Sequence, residues 1–247
     1  MNRINEIADV CLLAGKIMLQ SGAETYRVED TMIRIAASFG MPYSHSYVTP
    51  TGIIFAIDGA GPTKLIRIVE RSTDLQKVTI VNSISRQISS GELSLAEAHE
   101  RLKQLEGKNL AYPFWMQIAA SAIASGCFVI MFQGKWSDFL PAFVSGGIGF
   151  YGLDYVHRLV KLKFFAEFFA SFLAGIVAVL LVAIGVGNDI DKIIIGSVMP
   201  LVPGMLITNA VRDLMAGHLV AGLSKGAEAF LTAFAIGTGM AVIFAMY

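Results

Sequence analysis

Two prolines and a glycine, Pro200, Pro203 and Gly204, interrupt the apolar run IIIGSVMPLVPGMLITNAV, and Arg212-Asp213 follows at once. A proline contributes no backbone N–H and clashes with the carbonyl one turn back. In a bilayer, carbonyls freed in this way are tolerated only where protein or a water-filled cavity satisfies them. Half-helix ends at such a break present N–H and C=O groups that bind ions and polar solutes. The plainer reading is a kinked but solid helix, since proline is fairly common in membrane helices. Asn209 and Asp213 lie four apart on one helical face, with Arg212 adjoining and Thr208 beside them. Polar groups near a membrane core are costly, and are paired or functional. An interfacial Arg212–Asp213 pair therefore stands against a binding or translocation site for a polar solute. Glu228 opens the next apolar run, either as an interfacial carboxylate or, placed deeper, as a proton carrier. His218 reads as a loop residue, although an imidazole suits a pH response. Asp154 and Glu167 flank a basic connection and read as balancing Arg158 and Lys161.

A second polar cluster lies near the amino terminus. SGAETYRVEDT sets Glu24, Arg27, Glu29 and Asp30 around a helix start. Glutamate there is favoured by the helix dipole, and Glu24–Arg27 has ordinary i,i+3 spacing. The rival is a polar pocket completed by His45, Thr49 and Thr51. A hydrolase would need a nucleophile and a positioned base, and His45 beside Ser44 and Ser46 is a weak form of that signal. Cys11 and Cys127 fit no metal or disulfide spacing and read as buried apolar residues. GGIGFYG lacks the Lys-Ser/Thr of a phosphate loop. The sequence therefore calls for no metal and no cofactor, and for no ATP hydrolysis.

These groups must be positioned by two unlike parts. The chain has 247 residues, 55% of them hydrophobic, and a mean hydropathy of +0.62. Of its 38 charged side chains, 24 precede residue 109. Net charge is zero, without a basic block, which gives no case for nucleic acid as a partner. The start is interrupted by Glu6, Asp9 and Lys16, unlike a secretory signal. Ile4, Ile7, Cys11, Ala14 and Met18 share one face of a helix over residues 4–20, and a second helix begins near Glu24 and ends at Gly40. Tyr43–Val48, Gly52–Asp58 and Lys64–Glu70 read as three strands of a meander. Asp74–Ser89 and Ser94–Leu105 read as helices, the latter with a Ser94/Glu97 capping box. Residues 1–110 thus form an α+β domain.

Residues 111–247 carry five apolar runs of spanning length, about 114–132, 138–157, 164–186, 192–212 and 226–246. The expected fold is an α-helical polytopic membrane protein of five spans behind an N-terminal cytosolic α+β domain. Arg158, Lys161 and Lys163 in one connection, and Arg212 and Lys225 in another, place those connections and the first domain in the cytosol by the positive-inside rule. Tyr247 then ends on the outer side. Small residues at four-residue spacing, such as Ser121/Ser125 and Ser171/Gly175, would let these helices approach closely.

SGAETYRVEDT, then VTPTGI, then PLVPGMLITNAVRDLMAGHLVAGLSKGAEA together resemble the threonine/serine exporter family, over nearly the whole chain. The likeness is to the longer subunit of its split members. The resemblance implies an inner-membrane exporter of small polar metabolites (threonine, serine or a dicarboxylate such as succinate) and a shorter partner membrane subunit. Single-chain members carry a second membrane half that is not present before Tyr247, so a separate partner or self-association would complete the assembly. The matched positions are Glu24, Arg27, Glu29 and Asp30 in the first motif. In the second they are Pro203, Gly204, Asn209, Arg212 and Asp213. Secondary transport is the leading expectation. A membrane-anchored hydrolase and a metabolite-sensing regulatory subunit are the alternatives.

Overall fold

The computed structural model of the protein describes residues 2–246, without the side chains of Asn2, Ala60 and Met246. Tyr247, expected on the outer side, lies outside the described residues. The chain forms two compact units, residues 1–111 with 207–226, and residues 112–206 with 227–247.

The first unit is built around α1 (Asn2–Gln20). Ile7, Cys11, Ala14 and Met18 on its expected face are fully buried. Val10, Leu12, Ile17 and Leu19 are buried too, so the helix is covered nearly all round. Around it pack α2 (Thr25–Ser38), α3 (Leu75–Ser89), α4 (Leu95–Gly107) and the sheet. Burial holds the Cys11 thiol protonated, its pKa pushed up to about 12. Ser94 caps α4, with Glu97 closing the reciprocal capping box. The strands are β1 (Ser44–Thr49), β2 (Gly52–Ile57) and β3 (Ala60–Arg67), in order β1-β2-β3 and antiparallel throughout. The third strand starts earlier than its sequence pattern indicates. Asp58-Gly59 alone closes the hairpin, with Gly59 at φ 67°, and Ala60 already pairs with Ile57.

The second unit contains α5 (Phe114–Met131), α6 (Trp136–Val160), α7 (Lys163–Ala183) and α8 (Ile190–Val198). It also holds most of α10 (Leu219–Met246). Its packing relies on absent side chains. A Cβ on Gly146 would collide with Ser125, and one on Gly149 would come within 2.9 Å of Ala174. A Cβ on Gly175 would lie 2.9 Å from Ile243. Backbones approach this closely in membrane helix packing because contact, not water exclusion, holds the helices together. Cys127, read as buried, is instead exposed on α5. A membrane helix can turn an apolar residue outward because lipid, not water, meets that face.

Among the described residues, α5, α7 and α10 are each long and apolar enough to cross a membrane. A fourth such span arises if α8 with its 3₁₀ extension Met199–Leu201 is joined to α9 (Gly204–Met215). The two pieces are bent by 59°. Helix α6 has 25 residues, but glycines and two aspartates dilute its hydropathy. The protein is thus a helical, multi-pass membrane protein, and its α+β part carries only a small three-stranded sheet.

Candidate functional site

The break expected in the apolar run is present, and the two prolines divide the work. Pro200 sits inside the 3₁₀ turn, preceded by Met199 in a helical conformation (φ −54°, ψ −40°). Val202 is extended, at φ −63° and ψ 131°, the conformation that a following proline imposes. The helix direction therefore changes at Val202-Pro203. Helix α9 restarts at Gly204 and carries Thr208, Asn209, Arg212 and Asp213.

Helix α9 ends in a turn through Gly217 (φ 87°), where the His218 N–H bonds the Asp213 carbonyl at 2.9 Å. Helix α10 then folds back beside α9. Gly222 allows this, since a Cβ there would come within 2.6 Å of Leu214. The hairpin brings Lys225 to Asp213, with 2.7 Å between Nζ and Oδ2. Both side chains are buried, Asp213 completely.

That pair is one part of a larger latch on the SGAET loop. The Thr25 N–H donates to Asp213 Oδ1 at 2.9 Å, and its hydroxyl donates to Oδ2 at 2.9 Å. Thr25 is the first residue of α2, so Asp213 caps that helix from a distant part of the chain. A carboxylate there also meets the positive end of the helix dipole. Glu24 occupies the N-cap position but makes no cap bond. Its carboxylate instead accepts from Arg212 Nη1 at 2.5 Å and from Arg27 Nη1 at 2.9 Å. Asn209 Nδ2 donates to the Gly22 carbonyl at 2.9 Å, and Lys225 Nζ reaches the Ala23 carbonyl at 3.5 Å. Each residue from Gly22 to Thr25 is thus held by a residue of the α9–α10 hairpin. Burial acts to raise the Glu24 carboxyl. Its backbone hydrogen bond and the two arginines outweigh this and hold it below the usual carboxylate range.

The remaining predicted residues do not join the latch. Glu29 accepts the Val48 N–H at 2.8 Å and lies 3.7 Å from His218 Nδ1. Burial pushes its carboxyl above the usual range, and nearby Asp213 adds to this against the opposing hydrogen bond and His218. Asp30 pairs with Arg34 on the surface. Thr49 and Thr51 face each other across the β1–β2 turn at 3.4 Å. His45 is 3.4 Å from Asp58, and both are exposed. Strand alternation puts His45 on the face opposite Ser44 and Ser46, as the burial pattern of β1 records. The suspected Ser/His pairing is therefore not formed.

In the second unit, Asp154 pairs with Arg158 at 2.7 Å as expected. Glu228 pairs with Lys163, also at 2.7 Å. Glu167 does not balance the basic connection. It is buried in α7, and its Oε2 has no hydrogen-bond partner. Lys225 and Asp138 escaped sequence reasoning. Asp138 is fully buried and accepts the Asn188 and Asp189 N–H groups at 2.7 and 3.3 Å, tying the loop before α8 to the start of α6. The signal for Lys225 was the helix–Gly217–helix pattern, which returns a downstream lysine to an upstream aspartate. No cluster of potential metal ligands occurs among the described residues.

The family model for threonine/serine exporters, ThrE, matches residues 9–247. The chain belongs to the threonine/serine exporter family. It is 26% identical over 237 residues to a "Probable threonine/serine exporter" of Mycobacterium tuberculosis, covering 92% of this chain and 44% of that protein. Similarity to a "Probable succinate transporter subunit YjjP" of Klebsiella aerogenes is 25% over 248 residues, covering 98% of this chain and 94% of the relative. The Escherichia coli protein of that name is also 25% identical, with 95% and 92% covered. The chain therefore spans less than half the length of the mycobacterial exporter but nearly all of the two enterobacterial subunits. No solved structure matches it. The latch joins two segments singled out in the sequence, SGAETYRVEDT and NAVRD, which lie far apart along the chain.

Proposed function

We propose that this chain is a subunit of a secondary exporter of small polar metabolites: threonine, serine or a dicarboxylate such as succinate. The observation that carries the reading is the span broken at Val202-Pro203, in a chain whose family model is described as a threonine/serine exporter and whose enterobacterial relatives are named as succinate transporter subunits. A break of this kind offers backbone groups to a polar solute in the one part of a membrane protein where they are hardest to satisfy otherwise. Pro200, Pro203, Gly204 and Thr208 form the substrate path. Arg212, whose side chain is 55% exposed while it holds Glu24, presents further guanidinium donors suited to a substrate carboxylate. Asn209 and Asp213 serve it indirectly, by fixing the half-helix after the break to the start of α2. Transport runs on a proton or substrate gradient.

In this reading α6 also crosses the membrane, as the second of five spans, residues 1–110 face the cytosol, residues 111–247 form the membrane domain, and the carboxyl end is outside in an inner membrane. The parallel course of α7 and α10 supports that topology. Lys163 pairs with Glu228 near both helix starts, and Gly175 meets Ile243 further along. A shorter membrane subunit completes the assembly, as the word "subunit" in the names of the enterobacterial relatives favours. Self-association is the alternative. An enzyme reading loses its main support with His45 and the two serines on opposite strand faces. The test is efflux of preloaded threonine, serine and succinate from vesicles holding this chain with and without a copurified short membrane protein. Release of one of the three by the assembly is expected. Retention of all three would remove the proposal.

A further inference from the structure

We propose that Glu167 is the proton-binding carboxyl of the transport cycle, loaded from water through the Lys163–Glu228 ion pair. Its role in flux rests on the exporter reading; its protonation does not. Glu167 is 6% exposed and Thr232 1%. Neither Glu167 Oε2 nor Thr232 Oγ1 makes a hydrogen bond of good geometry, and the Thr232 hydroxyl lies beside the carboxyl without completing one. No other carboxylate oxygen among the described residues is both buried and unpartnered. A buried polar atom left in this state is expensive and calls for an explanation.

The surroundings supply one. Lys163 and Glu228 precede Glu167 and Thr232 by four residues on α7 and α10 respectively. The two helices run side by side in parallel, since Gly239 abuts Ser171 and Gly175 abuts Met240 and Ile243. The half-exposed Lys163–Glu228 pair thus caps a buried carboxyl and hydroxyl about 6 Å further in, one helical turn at 1.5 Å per residue. The titratable groups facing Glu167 are Lys163 on its own helix, Glu228 from α10 and His157 from α6. Lys163 is committed to Glu228 at 2.7 Å, so Glu167 has no dedicated counter-ion. A proton taken from water onto Oε2 removes the stranded charge and lets the carboxyl donate to Thr232. When Lys163 turns from Glu228 toward Glu167, the proton is released again to water. Ionisable groups in membrane segments with this environment are typical of proton relays.

The test uses the full chain in lipid vesicles and a lipid-soluble carbodiimide, which attacks protonated carboxyls in apolar surroundings, with peptide mass spectrometry as readout. Glu167 is expected to be labelled in acid, with labelling lost as pH rises. Glu167→Gln should abolish that label, and Lys163→Gln should shift its pH midpoint. A Glu167 unlabelled at every pH, or labelled equally at all, overturns the proposal. In the flux arm, Glu167→Gln should retain substrate exchange at equal pH and lose acceleration by an imposed pH gradient. Undiminished acceleration also overturns it. Absence of flux by the wild-type assembly would instead sink the exporter reading, and labelling alone would then decide the proton site.

Discussion

Asp213 and Glu167 are both buried carboxylates, and their surroundings could hardly differ more. Asp213 receives a backbone N–H, a hydroxyl and an ammonium, each within 2.9 Å. Glu167 has an oxygen, Oε2, that completes no hydrogen bond, with only the Thr232 hydroxyl beside the carboxyl. The first arrangement matches every requirement of a charge removed from water, and is what a permanent fastening needs. The second leaves a requirement unmet, which is what a group that changes state needs. Satisfaction of hydrogen bonding thus separates a structural carboxylate from a working one more sharply than burial does.

The hardest test of that contrast is to break the saturated site. Asp213→Asn leaves Lys225 buried without a counter-charge. It should destabilise the first unit by about 3–5 kcal/mol, the usual cost of removing one partner of a buried pair, read by denaturant or thermal unfolding of the purified protein. Lys225→Met should cost a similar amount. The double variant should lose much less than the sum, and additive losses would show that the two residues are not coupled.

Next in size is Gly146→Ala, which drives a Cβ into Ser125. Overpacking of this kind costs about 1–3 kcal/mol. Ser125→Ala combined with it should recover part of the loss in the same unfolding assay.

Much of this was legible in advance, and the missed parts share a cause. Local chemistry wrote the break at Pro203, the ends of α2 and the Ser94–Glu97 capping box, and all three occur as read. The latch joins residues 188 apart in sequence, so no local pattern could pair Asp213 with Thr25 or Arg212 with Glu24. Spacing did find the right residue types, because the polar positions of both motifs were conspicuous. It could not tell that they face one another. Glu167 was read as balancing Arg158 and Lys161 because it flanks their connection, but Arg158 pairs with Asp154 and the turn of α7 carries Glu167 into the buried side of the helix.

Smaller effects are expected at the rim of the latch. Arg212→Gln leaves Glu24 with Arg27 and should cost only about 0.5–1 kcal/mol, because the arginine is half exposed. The loss should shrink with added salt. The pH dependence has opposite signs at the two glutamates. The carboxyl of Glu24 is held below its ordinary value of 4.5, so its contribution is present above that pH and is lost as pH falls through the folded value. Glu29 is held above its ordinary value of 4.5, so its contribution is present in acid and lost as pH rises through the folded value. Because the amide stands in for the protonated carboxyl, both variants should stay near wild type in acid, and as pH rises the unfolding midpoint of Glu24→Gln should fall below wild type while that of Glu29→Gln rises above it.

The most direct measurement is the thermal unfolding of Asp213→Asn against Glu167→Gln, made side by side on the same purified assembly. The account predicts a midpoint lowered by about 10 °C or more for Asp213→Asn. For Glu167→Gln it predicts a midpoint at or above wild type, because the neutral amide removes a stranded charge. Equal losses, or a larger loss for Glu167→Gln, would contradict the division between a saturated fastening and a carboxyl left open for a proton.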